Sequence, residues 1–224
     1  MKARQSVVVA AVMLAGWLGW AGFASAETTC EPTAQAGVER CVTGLPAETA
    51  AAMSQTQRAS RWCWAASISM VLRTWGVDVP QEQIVRQHFG TATDLPAEGE
   101  DIARLLNRTW RDRAGRSVSV SADALPLGPA TMGLAAPELL QDLDDERPAV
   151  LVLPRHAVVL VQLVYERPIG QPGEVKLLDA TVLDPARPEV LRSLKLATDI
   201  VHLTRVLAAS GTEVAAAGSS TTLR

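Results

Sequence analysis

Gln57-Arg58-Ala59-Ser60-Arg61-Trp62-Cys63-Trp64-Ala65-Ala66-Ser67 sets a cysteine between two tryptophans at the head of an apolar stretch. Trp64, Ile68, Val71 and Trp75 recur at spacings of four, three and four, which lays them on one face of a helix. The spacing predicts a helix from Arg61 to Trp75, with Ser60 as N-cap and Gly76 as the stop. Cys63 then falls in the first turn. Unpaired N–H groups there concentrate positive potential, which stabilises a thiolate, the species that attacks a carbonyl carbon. A lone helical cysteine is more often a small buried apolar residue. Its place at the helix start, its neighbours and the odd number of thiols turn the reading toward a nucleophile.

Upstream, Lys2 and Arg4 precede an apolar run from Val7 to Ala24 that ends in Ala24-Ser25-Ala26. This predicts a signal peptide over residues 1–26, cut before Glu27. An uncleaved anchor is the rival, because about 18 apolar residues can span a bilayer. Cleavage leaves an exported protein, periplasmic or secreted, without stable membrane insertion. Export implies an oxidising compartment in which disulfides persist. Of the three cysteines, Cys30 and Cys41 flank a short loop and are the expected pair, leaving Cys63 free. The alternative is that Cys63 pairs with one of them. Residues 27–56 are polar and Ala-rich with weak periodicity, and read as a loosely structured lead-in.

Downstream, Pro80 opens a helix over Gln81 to Phe89 that Gly90 ends, and Glu100 to Asn107 forms another. Ser117 to Ser121 alternates as a half-buried strand does. Residues 122–136 read as a loop, and Pro137 to Leu143 as a short helix. Apolar, β-branched runs follow at Val150–Leu153, His156–Tyr165 and Val175–Leu183, with a turn region at 168–173 between the last two. Ile200 to Val206 adds a final strand, and residues 208–224 read as a disordered tail. Helices first and strands after give an α+β domain over residues 57–207, with an N-terminal helical part and a C-terminal antiparallel sheet.

A nucleophilic cysteine needs a base, and the chain has three histidines: His88, His156 and His202. His156 opens an apolar strand, where its ring can reach a neighbouring helix end. His88 lies late in an amphipathic helix and His202 in a late apolar run, both read as structural. Asp184, in Leu183-Asp184-Pro185, ends the strand expected to pair with the His156 strand, so it is the candidate to orient the imidazole. Asp179, in the same strand, is the runner-up. A turn-starting Asp before Pro is the competing explanation for Asp184.

Taken in order, Gln-x5-Cys-Trp-Ala-x-Ser, a distant His-Ala-Val-Val-Leu and an Asp-Pro after the next strand resemble the bacterial papain-like cysteine peptidases. The branch is the one near bacteriocin leader peptidases and secreted plant-pathogen effectors. The resemblance spans roughly Gln55 to Leu194. It implies a papain-like fold, Cys63 as nucleophile, His156 as base and Asp184 in the place of the family's Asn or Asp. Gln57 matches the glutamine whose amide helps form the oxyanion hole beside the Cys63 N–H. The sequence departs from the classical papain enzymes just before the cysteine, where Ser60, Arg61 and Trp62 replace Gly and Ser.

Composition narrows the field. The 21 basic and 24 acidic residues give a net charge of −3, which excludes a strongly basic nucleic-acid binder. No C-x-x-C, H-x-x-x-H or H-E-x-x-H motif is present, so neither a dedicated zinc site nor any cofactor is expected. The expectation is a thiol hydrolase of peptide or isopeptide bonds, acting on a peptide or protein substrate. The alternatives are an acyl transferase or peptidoglycan amidase or endopeptidase on the same fold, and a papain-shaped module that only binds.

Overall fold

A computed structural model describes residues 28–126, 132–171, 174–195 and 200–212. In chain order the elements are β1 (Thr29–Pro32), β2 (Val38–Gly44), α1 (Ala47–Met53), α2 (Cys63–Arg73), α3 (Gln81–Phe89), α4 (Gly99–Leu106), β3 (Thr109–Arg111) and β4 (Ser117–Pro126). They continue with α5 (Met132–Asp144), β5 (Ala149–Leu153), β6 (His156–Pro168), β7 (Lys176–Leu183), β8 (Leu191–Leu194) and β9 (His202–Thr212). The result is a mixed helix and antiparallel-sheet fold. No helix among the described residues is long and apolar enough to cross a membrane. The expected signal segment and the end of the expected tail, residues 213–224, lie outside the described residues.

The strands form one antiparallel sheet in the order β1-β2-β6-β5-β9-β4-β3, with β7 and β8 built outward from β6. One edge of β6 is shared: His156–Leu160 pair with β5 and Gln162–Pro168 with β2. β7 takes the other edge, in a register that sets Leu183 opposite Val159. This register brings the end of β7 back beside the start of β6.

α2 lies against β6 and is buried at every position from Cys63 to Leu72. Ile68, Met70 and Leu72 meet Val158 and Leu160 in one core. Each such buried side chain contributes about 1.5–3 kcal/mol of transfer free energy. α3 runs from Gln81 to Phe89 with Gly90 left-handed behind it (φ 77°), as the flanking Pro80 and Gly90 predict. α4 meets β9 so closely that a Cβ on Gly99 would lie 2.5 Å from the His202 ring.

Four local readings change. Residues 29–53 are ordered elements rather than a loose lead-in. β1 and β2 are outer strands, held by the Cys30–Cys41 disulfide in directly opposed register and by the pairs Arg40–Glu166 and Glu39–Arg167. Such strands carry no apolar alternation to read. β9 extends through residues 208–212, where Ala and Ser pair their backbone with Ser117–Ser121 of β4. β4 likewise runs on to Pro126, and α5 begins five residues before Pro137, which sits inside it. β3 and β8 are short strands without a periodic signature.

Candidate active site

Cys63 is the first residue of α2, two positions later than the spacing suggests. The helix has no side-chain cap. Ser60 does not cap it, because its hydroxyl donates to Asp94 Oδ2 at 2.7 Å, and the Arg61 N–H donates to Asp94 Oδ1 at 2.8 Å. The first N–H groups of α2 therefore keep their positive potential for whatever sits at Cys63.

The loop before α2 is fixed from three sides. Buried Gln81 accepts the Arg58 N–H and donates to Gln55 Oε1 and the Thr56 carbonyl. The indoles of Trp62 and Trp64 donate to the carbonyls of Thr93 and Leu95. The Gln57 N–H donates to the Pro185 carbonyl at 2.8 Å, tying this loop to the Asp184 turn.

His156 opens β6 directly after the two-residue turn Pro154-Arg155, and Asp184 follows the last residue of β7. Their side chains meet with His156 Nε2 2.7 Å from Asp184 Oδ1. Asp184 Oδ1 also accepts the Ala186 N–H at 2.9 Å, and Oδ2 accepts Arg192 Nη1 at 2.6 Å. With Nε2 committed to the carboxylate, Nδ1 is the ring nitrogen left for the Cys63 thiol. The hydrogen bond to Cys63 raises the His156 pKa above its ordinary value; burial opposes the rise, and Asp184 adds to it. Burial works against the Asp184 carboxylate, but the Ala186 N–H, His156 and Arg192 together hold its pKa below the usual value.

Cys63, His156 and Asp184 are thus brought together, and Cys63 is the free thiol. Gln57 lies in the same loop but turns its amide nitrogen to the Ala59 and Ser60 carbonyls, at 2.9 and 3.0 Å. Its buried Oε1 has no partner among the described residues. Asp179 sits opposite Val164, far along β6 from His156, and accepts the Ser193 hydroxyl. His88 packs against Trp64 and Phe89, with Nε2 3.5 Å from Asp101. Cys30, Glu39 and Cys41 gather ligand-type atoms, but the disulfide has consumed both thiols.

Arg192 is the member the sequence reading missed. It lies in the four-residue β8, where pairing opposite Val182 carries its side chain back over Asp184. His202 also belongs here: with Cys63 and His156 it lines a cleft of about 570 Å³, walled by Trp64, Leu153 and Val201.

A cysteine at an open helix N-terminus, sharing a cleft with an imidazole that a carboxylate orients, is the constellation of a thiol hydrolase. The family model for the papain-like cysteine protease AvrRpt2 matches residues 42–110, the span that holds Gln57, Cys63 and all of α2 to α4. Over that span the chain is similar to the papain-like cysteine peptidases. Among solved structures, UfSP from C. elegans is similar with a TM-score of 0.46 and 12% identity, over 81% of this chain and 34% of that one. The chain spans about a third of that protein's length. No curated protein matches it.

Proposed function

We propose that the chain is an exported, papain-like thiol peptidase in which Cys63, His156 and Asp184 form the catalytic triad. The free Cys63 thiol at the uncapped start of α2, in one cleft with an imidazole that Asp184 holds at 2.7 Å, carries this reading. His156 Nδ1 takes the thiol proton as sulfur bonds to the substrate carbonyl carbon. The resulting oxyanion meets the Cys63 N–H, which has no intrahelical acceptor. The imidazolium then protonates the leaving amine as the C–N bond breaks. Water, activated by the same imidazole, hydrolyses the thioester and restores the thiol. Asp184 keeps Nε2 as the donor side of the ring throughout.

Gln57 is the second oxyanion donor in this proposal, and one of its two carbonyl bonds opens when the acyl oxygen arrives. Gln57→Ala should then lower kcat about 10²-fold with KM nearly unchanged. A fall in thermal stability with kcat preserved would leave Gln57 a loop brace only.

Arg192 is a positioning residue that acts through Asp184. Its side chain is half-exposed, so Arg192→Ala should cost about 1 kcal/mol, roughly fivefold in kcat. With less positive charge on Asp184, the carboxylate acts more strongly on His156, so the alkaline limb of the pH–kcat profile should move up. Arg192→Lys should restore part of both effects. A lower melting temperature with an unmoved limb would make Arg192 merely structural.

The test of the function is incubation of the mature protein with internally quenched peptides and an electrophilic cysteine-peptidase probe. Cleaved peptides with water-derived carboxylates, and probe attached at Cys63 alone, are expected. Products joined to an added amine would mean acyl transfer. Folded protein whose Cys63 never reacts would mean a binding module.

A further inference from the structure

The turn that delivers His156 carries an unexplained strain. Pro154 and Arg155 alone join β5 to β6, with Leu153 paired to His156 across the ladder. Arg155 has φ +64°, in the left-handed region. After a proline, that second turn position favours glycine. Among the described residues Glu146 is the one other non-glycine with positive φ, at 54°. It has an ordinary reason: it ends α5, where the N–H groups of Glu146 and Arg147 close onto the carbonyls of Leu143 and Asp142. Arg155 serves no helix end. Residues held in rare backbone regions cluster at ligand clamps.

Two arginines of the cleft, Arg61 and Arg155, are exposed and enter no ion pair among the described residues, and Arg155 is the one joined directly to His156. Arg61, Glu98, Arg155 and His156 line the cleft with Cys63. The Glu98 side chain accepts the Asp101 N–H and caps α4. Arg61 lies in the field of Asp94, whose carboxylate it helps to hold below its usual pKa after the stronger hydrogen bonds from Ser60 and the Arg61 N–H. The Asp184 charge is answered by His156 and Arg192.

We propose that Arg155 is a specificity-determining residue that binds a carboxylate of the substrate next to the scissile bond. The favoured peptides then carry Asp or Glu, or a free C-terminus, within one or two residues of the cut. The backbone strain is retained because glycine, which the turn prefers, offers no guanidinium. Substrate preference rests on the peptidase reading, but the anion site itself can be tested without it.

Iodoacetate and iodoacetamide both alkylate a free thiol: the S–C bond forms as C–I breaks, and iodide leaves. They differ in charge, and Cys63 is the single free thiol. The ratio of iodoacetate to iodoacetamide rate constants at Cys63 should fall about tenfold in Arg155→Gln, and the wild-type ratio should shrink as salt rises. Arg155→Gly should show the same lower ratio and a higher melting temperature, because the turn relaxes. Equal ratios in wild type and Arg155→Gln overturn the proposal. So does a lower melting temperature in Arg155→Gly, which would make the side chain a brace of the fold.

With peptides, wild type should cleave a Glu substrate about tenfold faster in kcat/KM than its Gln twin, both amidated, and Arg155→Gln should lose that ratio. A free against an amidated C-terminus separates the second source of the carboxylate. Wild type that cleaves acidic and neutral twins of both kinds equally overturns the specificity role. If no peptide is cleaved while the alkylation ratio still depends on Arg155, the peptidase reading fails and the anion site stands.

Discussion

Replacing Cys63 with alanine should lower peptide turnover by at least about 10⁴-fold while the protein stays folded. The nucleophile acts as a unit with its base, so removing it alone forfeits the covalent route. What remains is the oxyanion site and substrate binding, which do not supply a nucleophile. The structural cost is small. Cys63 is 9% exposed at the cleft floor, and losing one sulfur resembles a single-methyl deletion, on the order of 1 kcal/mol. Turnover of a quenched peptide and a thermal melt, measured on the same preparation, separate the two effects. Cys63→Ala that keeps wild-type turnover would remove the proposed nucleophile. His156→Ala should lower turnover comparably and also slow alkylation of Cys63, since the thiol loses its proton acceptor.

The sequence made α2, α3 and the β6–β7 hairpin readable because each carries its own punctuation. Pro80 and Gly90 bracket α3, and the spacing of Trp64, Ile68 and Val71 marks the buried face of α2. Asp184 could be placed beside His156 because antiparallel pairing brings the end of one strand to the start of the next. The outer strands were not readable. β1 and β2 are held by a disulfide and by ion pairs across the ladder, which leave no hydrophobic period. Arg192 was hidden for a related reason: β8 is short and exposed, and only its register with β7 brings the guanidinium to Asp184. Ser60 looked like a cap because it has a capping residue's chemistry. Asp94, 34 residues away, takes its hydroxyl instead, and no local pattern announces that.

The two aspartates of β7 and its end should separate by orders of magnitude. Asp184→Ala leaves His156 Nε2–H and the Arg192 guanidinium without their acceptor, and turnover should fall about 10³- to 10⁴-fold. Asp179→Ala loses the Ser193 hydroxyl bonds and the bond from the Ala180 N–H, all in the β7–β8 hairpin away from His156, and turnover should change less than about threefold. Asp184→Asn divides the carboxylate's two contributions. It keeps an oxygen to accept from Nε2–H but removes the charge that helps raise the His156 pKa. In wild type the imidazolium persists above the ordinary value of 6.5, so the alkaline limb of activity should lie above that value. In Asp184→Asn the limb should move down toward it. Stability follows the same signs. The His156 contribution is fully present below the unfolded value and is lost as pH rises through its raised folded pKa. The Asp184 contribution is present above the ordinary carboxylate value of 3.8 and is lost as pH falls through its lowered folded pKa. Melting temperature against pH should therefore fall at the acid end in wild type and fall less steeply there in Asp184→Asn. An alkaline limb that stays put in Asp184→Asn, or a large loss of turnover in Asp179→Ala, would take the orienting role away from Asp184.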